Sequence, residues 1–150
     1  MKKAALLIVA IMILSGQLWA AGTVSESEWV QLSLDSRMWY KDFDITGDSS
    51  NGTVPSTQST QDMTGLLVGA QTNPGTTGPT DDYDITLTDD QGEDVFGTAL
   101  NNRDTANTEY TEPYYNSQYG WRPVKGKLTL AVSNTSNNSA TVKLRVFMIR

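Results

Sequence analysis

Lys127-Leu128-Thr129-Leu130-Ala131-Val132 and Thr141-Val142-Lys143-Leu144-Arg145-Val146-Phe147-Met148-Ile149 are the two runs that decide the fold class. Each alternates apolar with polar or small residues, the period of a strand with one buried face. Leu128, Leu130 and Val132 share one side of the first run. Val142, Leu144, Val146 and Met148 share one side of the second. Residues 133–140 between them are Asn, Ser and Thr with a closing Ala, a turn-forming composition. The two runs are therefore expected to form a β-hairpin with these apolar side chains on a common face.

The same period recurs towards the N-terminus. Tyr83, Ile85 and Leu87 alternate with Asp84, Thr86 and Thr88, and Asp89-Asp90-Gln91-Gly92 then turns the chain into the short return Glu93–Phe96. Met63 to Gln71 reads as a strand whose centre, Leu66-Leu67-Val68, is too apolar to face water on both sides; Asn73-Pro74-Gly75 ends it. Met38 to Thr46 places Trp39, Phe43 and Ile45 on one face. Lys41 interrupts that series and predicts a bulge or an edge position. Trp29 to Leu34 is a further strand candidate, with Val30, Leu32 and Leu34 alternating. Asn51-Gly52 is a hairpin signal, and Pro55 limits residues 53–56 to an edge strand. Residues 97–123 are irregular, polar and aromatic, the pattern of a functional loop or a missed strand. No segment after residue 21 shows a helical apolar period. The expected fold is all-β, an antiparallel β-sandwich or jelly-roll-like domain of seven or eight short strands over residues 22–150.

The chain begins Met1-Lys2-Lys3, continues with unbroken apolar residues from Ala4 to Leu14, and reaches Ala20-Ala21 through Ser15-Gly16-Gln17-Leu18-Trp19. A positive start, a short apolar core and a small-residue end form a secretory signal. The apolar core is well short of the roughly 20 residues a spanning helix requires. Residues 1–21 are read as a signal peptide cleaved after Ala20 or Ala21. The alternative is an uncleaved anchor, with membrane contact confined to residues 4–21. Either reading exports the domain to the periplasm, the cell surface or the medium.

Composition narrows the function classes. The chain has 11 basic and 17 acidic residues, a net charge of −6, and losing the signal removes Lys2 and Lys3 as well. The remaining cations are scattered, so the basic stripe that phosphate contacts need is missing and nucleic acid is not an expected partner. There is no Cys and no His, which leaves neither disulfides nor the commonest general base and metal ligand.

The acidic residues Asp81, Asp82, Asp84, Asp89 and Asp90 are oxygen donors of the kind calcium takes, but their spacing is not that of a calcium loop. Asp-x-x-Gly is an ordinary turn in which Asp accepts from its own backbone, and the turn is the expected reading. No cofactor is expected. Paired carboxylates can hydrolyse glycosides, yet no pair here is marked out by its surroundings, so no catalytic residue is assigned. The aromatic series Tyr110, Tyr114, Tyr115, Tyr119 and Trp121 is more distinctive. Such residues cover an open end of a sandwich, anchor a protein interface or stack on sugar rings. The expected partners are proteins or further copies of the chain.

A longer set of motifs adds to this reading. Thr72-Asn73-Pro74-Gly75, Pro79 to Asp89, Gly92-Glu93-Asp94-Val95-Phe96-Gly97, Asn102 to Glu109 and Pro123 to Leu130 occur in that order, closed by a strand to Arg150. Over residues 65–150 this series resembles a group of small all-β proteins encoded in the structural regions of tailed phages and prophages. The resemblance implies a virion-associated, decoration-type structural role with no chemistry of its own. Proteins of that kind assemble in the cytoplasm, and the export signal is where this chain departs from them.

Overall fold

The computed structural model describes residues 21–150; residues 1–20, with nearly all of the expected signal, lie outside the described residues. Among the described residues every regular element is a strand, and all named strand pairs are antiparallel. The elements are β1 (Thr23–Glu26), β2 (Val30–Gln31), β3 (Met38–Thr46), β4 (Thr57–Gln58), β5 (Gly65–Pro74), β6 (Asp84–Thr88), β7 (Glu109–Thr111), β8 (Tyr114–Tyr115), β9 (Gln118–Tyr119), β10 (Arg122–Val124), β11 (Thr129–Ser133) and β12 (Thr141–Ile149).

A seven-stranded sheet runs β1-β3-β12-β5-β10, with β2 also on β3 and β7 also on β5; a three-stranded sheet runs β4-β11-β6. One core receives the inward side chains of both. Phe43, Ile45, Leu67, Ala70, Val142, Leu144, Val146 and Met148 come from the large sheet, and Ile85, Leu87 and Leu130 from the small one. Each large apolar side chain taken fully out of water contributes roughly 1.5–3 kcal/mol. β12 is central because its alternation is unbroken. It pairs β3 over its whole length and β5 over nearly all of it, and Val68 of β5 bulges where the register shifts between Phe147 and Met148.

The expected hairpin between the last two runs does not form. β11 pairs β6 and β4, whereas β12 pairs β3 and β5, so residues 134–140 carry the chain from one sheet to the other. The two apolar faces meet across the core instead of lying side by side. Alternation fixes which side chains turn inward, and both arrangements satisfy it equally.

Asn51-Gly52 behaves similarly. It forms a turn, with Gly52 at φ 71°, but joins β3 of one sheet to β4 of the other and so closes no hairpin. The edge strand sits at Thr57–Gln58, not at residues 53–56. The predicted strand from Trp29 to Leu34 shrinks to β2, and Leu34 is 96 % exposed; its alternation has no sheet to face. The β6 reading holds: Tyr83, Ile85 and Leu87 are all fully buried. The turn after it holds as well. Asp89 Oδ1 accepts from the backbone N–H of Gln91 (2.9 Å) and of Glu93 (3.0 Å), and Gly92 takes φ 82°.

Lys41 causes no irregularity in β3 against β12. The break lies on the other side. Glu26 pairs Phe43 and Val30 pairs Tyr40, so residues 27–29 of the edge face residues 41–42. That bulge opens the edge where the buried Lys41 side chain needs oxygen partners.

Candidate functional site

Residues 97–123 contain strands that their sequence hides. β8 and β9 form a two-stranded hairpin, Tyr114 opposite Tyr119 and Tyr115 opposite Gln118. Asn116 and Ser117 join them at φ 48° and 62°, the left-handed pair of the turn that best matches strand twist. The hairpin is pinned at its base by a bridge between Gly97 and Tyr114. Gly97 lies at φ 62°, and a β-carbon there would stand 2.0 Å from the Tyr114 carbonyl oxygen. Only glycine lets the two backbones approach this closely.

The structure divides the five aromatic candidates into three settings. Tyr114 is half-buried against the core, its ring 4.8 Å from that of Tyr119, so covering the core is its role. Tyr115, Tyr119 and Trp121 point outward, at 51 %, 66 % and 54 % exposure. Tyr110 belongs elsewhere. It lies opposite Gln71 on β7, on the outer face of the large sheet, 6.1 Å from the Phe147 ring. Its ring covers Gly69, where a β-carbon would meet the phenol oxygen at 2.3 Å.

The three outward rings border a cleft of about 250 Å³ lined by Pro113, Tyr115, Gln118, Tyr119, Gly120, Trp121 and Arg122. Arg122 is held from three sides. Its guanidinium stacks 4.6 Å from the Tyr115 ring, one nitrogen donates to the Asp94 carbonyl at 2.9 Å, and another lies 3.7 Å from Glu93. A fixed guanidinium with exposed Tyr and Trp side chains presents large area at low conformational cost. Arg122 and Gln118 escape a reading of the aromatic series alone. The Asn-Ser step between two Tyr-containing pairs is the signal that locates them.

The acidic candidates do not converge. Asp81 and Asp82 line a wider cleft of about 580 Å³ with Thr80, Asn134, Thr135 and Ser136. Asp84 is already engaged, one oxygen accepting from the Asn102 N–H at 2.9 Å and the other from the Asn134 amide at 2.7 Å. Asp89 and Asp90 follow the far end of β6, about 17 Å along a five-residue strand. Among the described residues no group of three or more Asp, Glu, His or Cys is placed to hold a metal ion.

A second polar cluster lies inside the molecule. Lys41 is fully buried on the core face of β3, and its Nζ is 2.8 Å from Glu26 Oε2 and 3.5 Å from Gln61 Oε1, and also donates to the Ser27 carbonyl. Burial pushes the Glu26 carboxyl up, but hydrogen bonds from Lys41 and Thr60 outweigh it and hold the group below its ordinary range. Asp94, beneath Arg122, is pushed up by burial.

Comparison of the chain with protein families, with curated proteins and with solved structures finds no match.

Proposed function

We propose that this protein is a non-enzymatic structural module, exported by residues 1–21 and working by contact with other proteins or further copies of itself. The two facing sheets read as a β-sandwich or jelly-roll-like domain. The phage- and prophage-type motifs of residues 65–150 point to a virion-associated, decoration-type role. The observation that carries the reading is the β8–β9 hairpin with its pre-organised turn, which holds Tyr115 and Tyr119 in water beside the exposed Trp121 two residues after β9. Rigid exposed aromatics with an adjacent Arg have the composition of an interface centre. The acidic surface and the scattered cations support protein partners over nucleic acid.

The test has two parts. The protein is expected in purified particles or in the washed cell-surface fraction, and Tyr115→Ser/Tyr119→Ser/Trp121→Ser is expected to leave melting unchanged while removing it from that fraction. Recovery of the wild type only as a soluble periplasmic monomer would overturn the reading.

A second reading has its own observation. The cleft beside the hairpin mixes aromatic rings with the Gln118 amide and Arg122, groups that stack on and hydrogen-bond to a sugar ring. Under it the protein is an exported surface or periplasmic glycan-binding module. Saccharide titration followed by Trp fluorescence, in wild type and Trp121→Ser, separates the two readings.

A further inference from the structure

The densest chemistry outside the hairpin surrounds Lys41. A primary amine, fully buried, has a carboxylate oxygen at 2.8 Å and the carbonyl oxygen of a carboxamide at 3.5 Å. The carboxamide is fixed from both ends, because Gln61 Nε2 donates to the Glu28 carboxylate. Glu26 is fixed in turn by the Thr60 N–H. The Trp29 ring lies 5.7 Å from Nζ, and the Arg150 guanidinium stacks 4.5 Å from that ring, so the amine itself is covered while Glu28 at the outer end of the cluster stays in water. An amine, a base, an electrophilic carbonyl and a second carboxylate at the leaving nitrogen are held together. Such positioning turns a slow bimolecular reaction into an intramolecular one.

We propose that Lys41 and Gln61 join through a self-catalysed amide cross-link. Glu26 takes one proton from the Lys41 ammonium, leaving a neutral amine. The amine nitrogen attacks Gln61 Cδ, the new C–N bond forms and the carbonyl electrons move onto Oε1. The attacking nitrogen then loses its second proton, which the Glu28 carboxylate accepts and passes to Nε2. The carbonyl re-forms as the Cδ–Nε2 bond breaks. Ammonia departs and takes the proton stored on Glu26, leaving both carboxylates as they began. No oxidant or further reactant is required.

The placement gives the link a structural purpose. Lys41 is on β3, next to the edge of the large sheet, and Gln61 follows β4 of the small sheet. The bond therefore clamps the two sheets in a chain that has no Cys for a disulfide, restricting the unfolded state as a disulfide does.

Denaturing intact-mass measurement of the folded full chain tests this. The expected wild-type mass is one ammonia below that calculated for its own N-terminus, and fragmentation is expected to yield a branched peptide joining Lys41 to Gln61. Gln61→Ala, at a half-exposed loop position, is expected to fold and to carry its full calculated mass, as is Glu26→Gln. A wild type that keeps its full mass after prolonged incubation overturns the proposal and leaves Lys41 as a buried ion pair alone. So does a loss that persists in Gln61→Ala, which would place it elsewhere, for example at a succinimide of Asn51-Gly52.

Discussion

Lys41 and Asp42 are neighbours on one strand, and each forms an ion pair, but on opposite faces of the sheet. Inside, Lys41 meets Glu26 at 2.8 Å. Outside, Asp42 takes a two-pronged contact from Arg145, at 2.7 and 2.8 Å, with Lys143 at 3.8 Å. The two carboxylates are equally covered, at 12 % side-chain exposure each; the cations differ, Lys41 at 0 % and Arg145 at 33 %. The cost of breaking such a pair is set by the charge left behind. Arg145 keeps its stack on Tyr40, 4.1 Å away, and can turn its guanidinium to water. Lys41 has no route out of the core.

That contrast predicts unequal effects for the same deletion. In the Gln61→Ala background, where Lys41 keeps its charge, Glu26→Ala is expected to cost about 3–5 kcal/mol, the usual penalty for stranding a buried charge. Asp42→Ala is expected to cost about 1 kcal/mol, since its partners regain solvent. Urea unfolding of the two variants checks both. Equal losses would break the comparison, because they would mean that Lys41 finds water as easily as Arg145.

The pH dependence sharpens it. Hydrogen bonding by Arg145 holds Asp42 below its ordinary 3.8, and Lys41 and Thr60 hold Glu26 below its ordinary 4.5 despite burial. Both carboxylates therefore stabilise the fold fully above that range, and the contribution is lost as pH falls through their lowered values. Asp94 works the other way: raised by burial, it sheds an unfavourable charge on acidification and offsets part of the loss. At high pH the core takes over. Burial pushes the Tyr83 phenol from 10.0 up to about 12. Stability is expected to fall as pH rises between those values, because only the unfolded chain ionises there. Tyr83→Phe is expected to reduce that alkaline slope, leaving the part that Tyr110 and Lys143, both also raised, contribute, read from chemical unfolding at stepped pH.

The smallest effect is expected at Leu34, almost wholly in water. Leu34→Ser should change stability by no more than about 0.5 kcal/mol, measured by the same urea series. A larger loss would show that the loop after β2 is covered in solution.

The same strands show how far sequence alone reaches. The inward residues of β6 and β12 were legible because every second side chain is apolar and a strand has only two faces. Lys41 was legible as a disturbance, but its position as a buried charge facing an edge bulge was not, since the bulge lies in residues 27–29. The hairpin at residues 114–119 was hidden because two-residue strands are too short to show a period. The aromatic series pointed to the region, and chain folding then sorted its members. Tyr114 went to the core, Tyr110 to the sheet's outer face, Tyr115 and Tyr119 to the hairpin surface and Trp121 to the exposed link after it.

By itself the sequence determined that the domain is β-structured, which side chains of the long strands turn inward, and where turns such as Asp89–Gly92 fall. Those properties follow from local sterics and the two-residue period of a strand. Tertiary structure alone decided which strands are neighbours. β11 and β12 stand next to each other in the chain and part company in space, because each satisfies the same alternation in a different sheet. Pairing depends on long-range backbone hydrogen bonds and on packing across the core, and neither leaves a local mark in the residues.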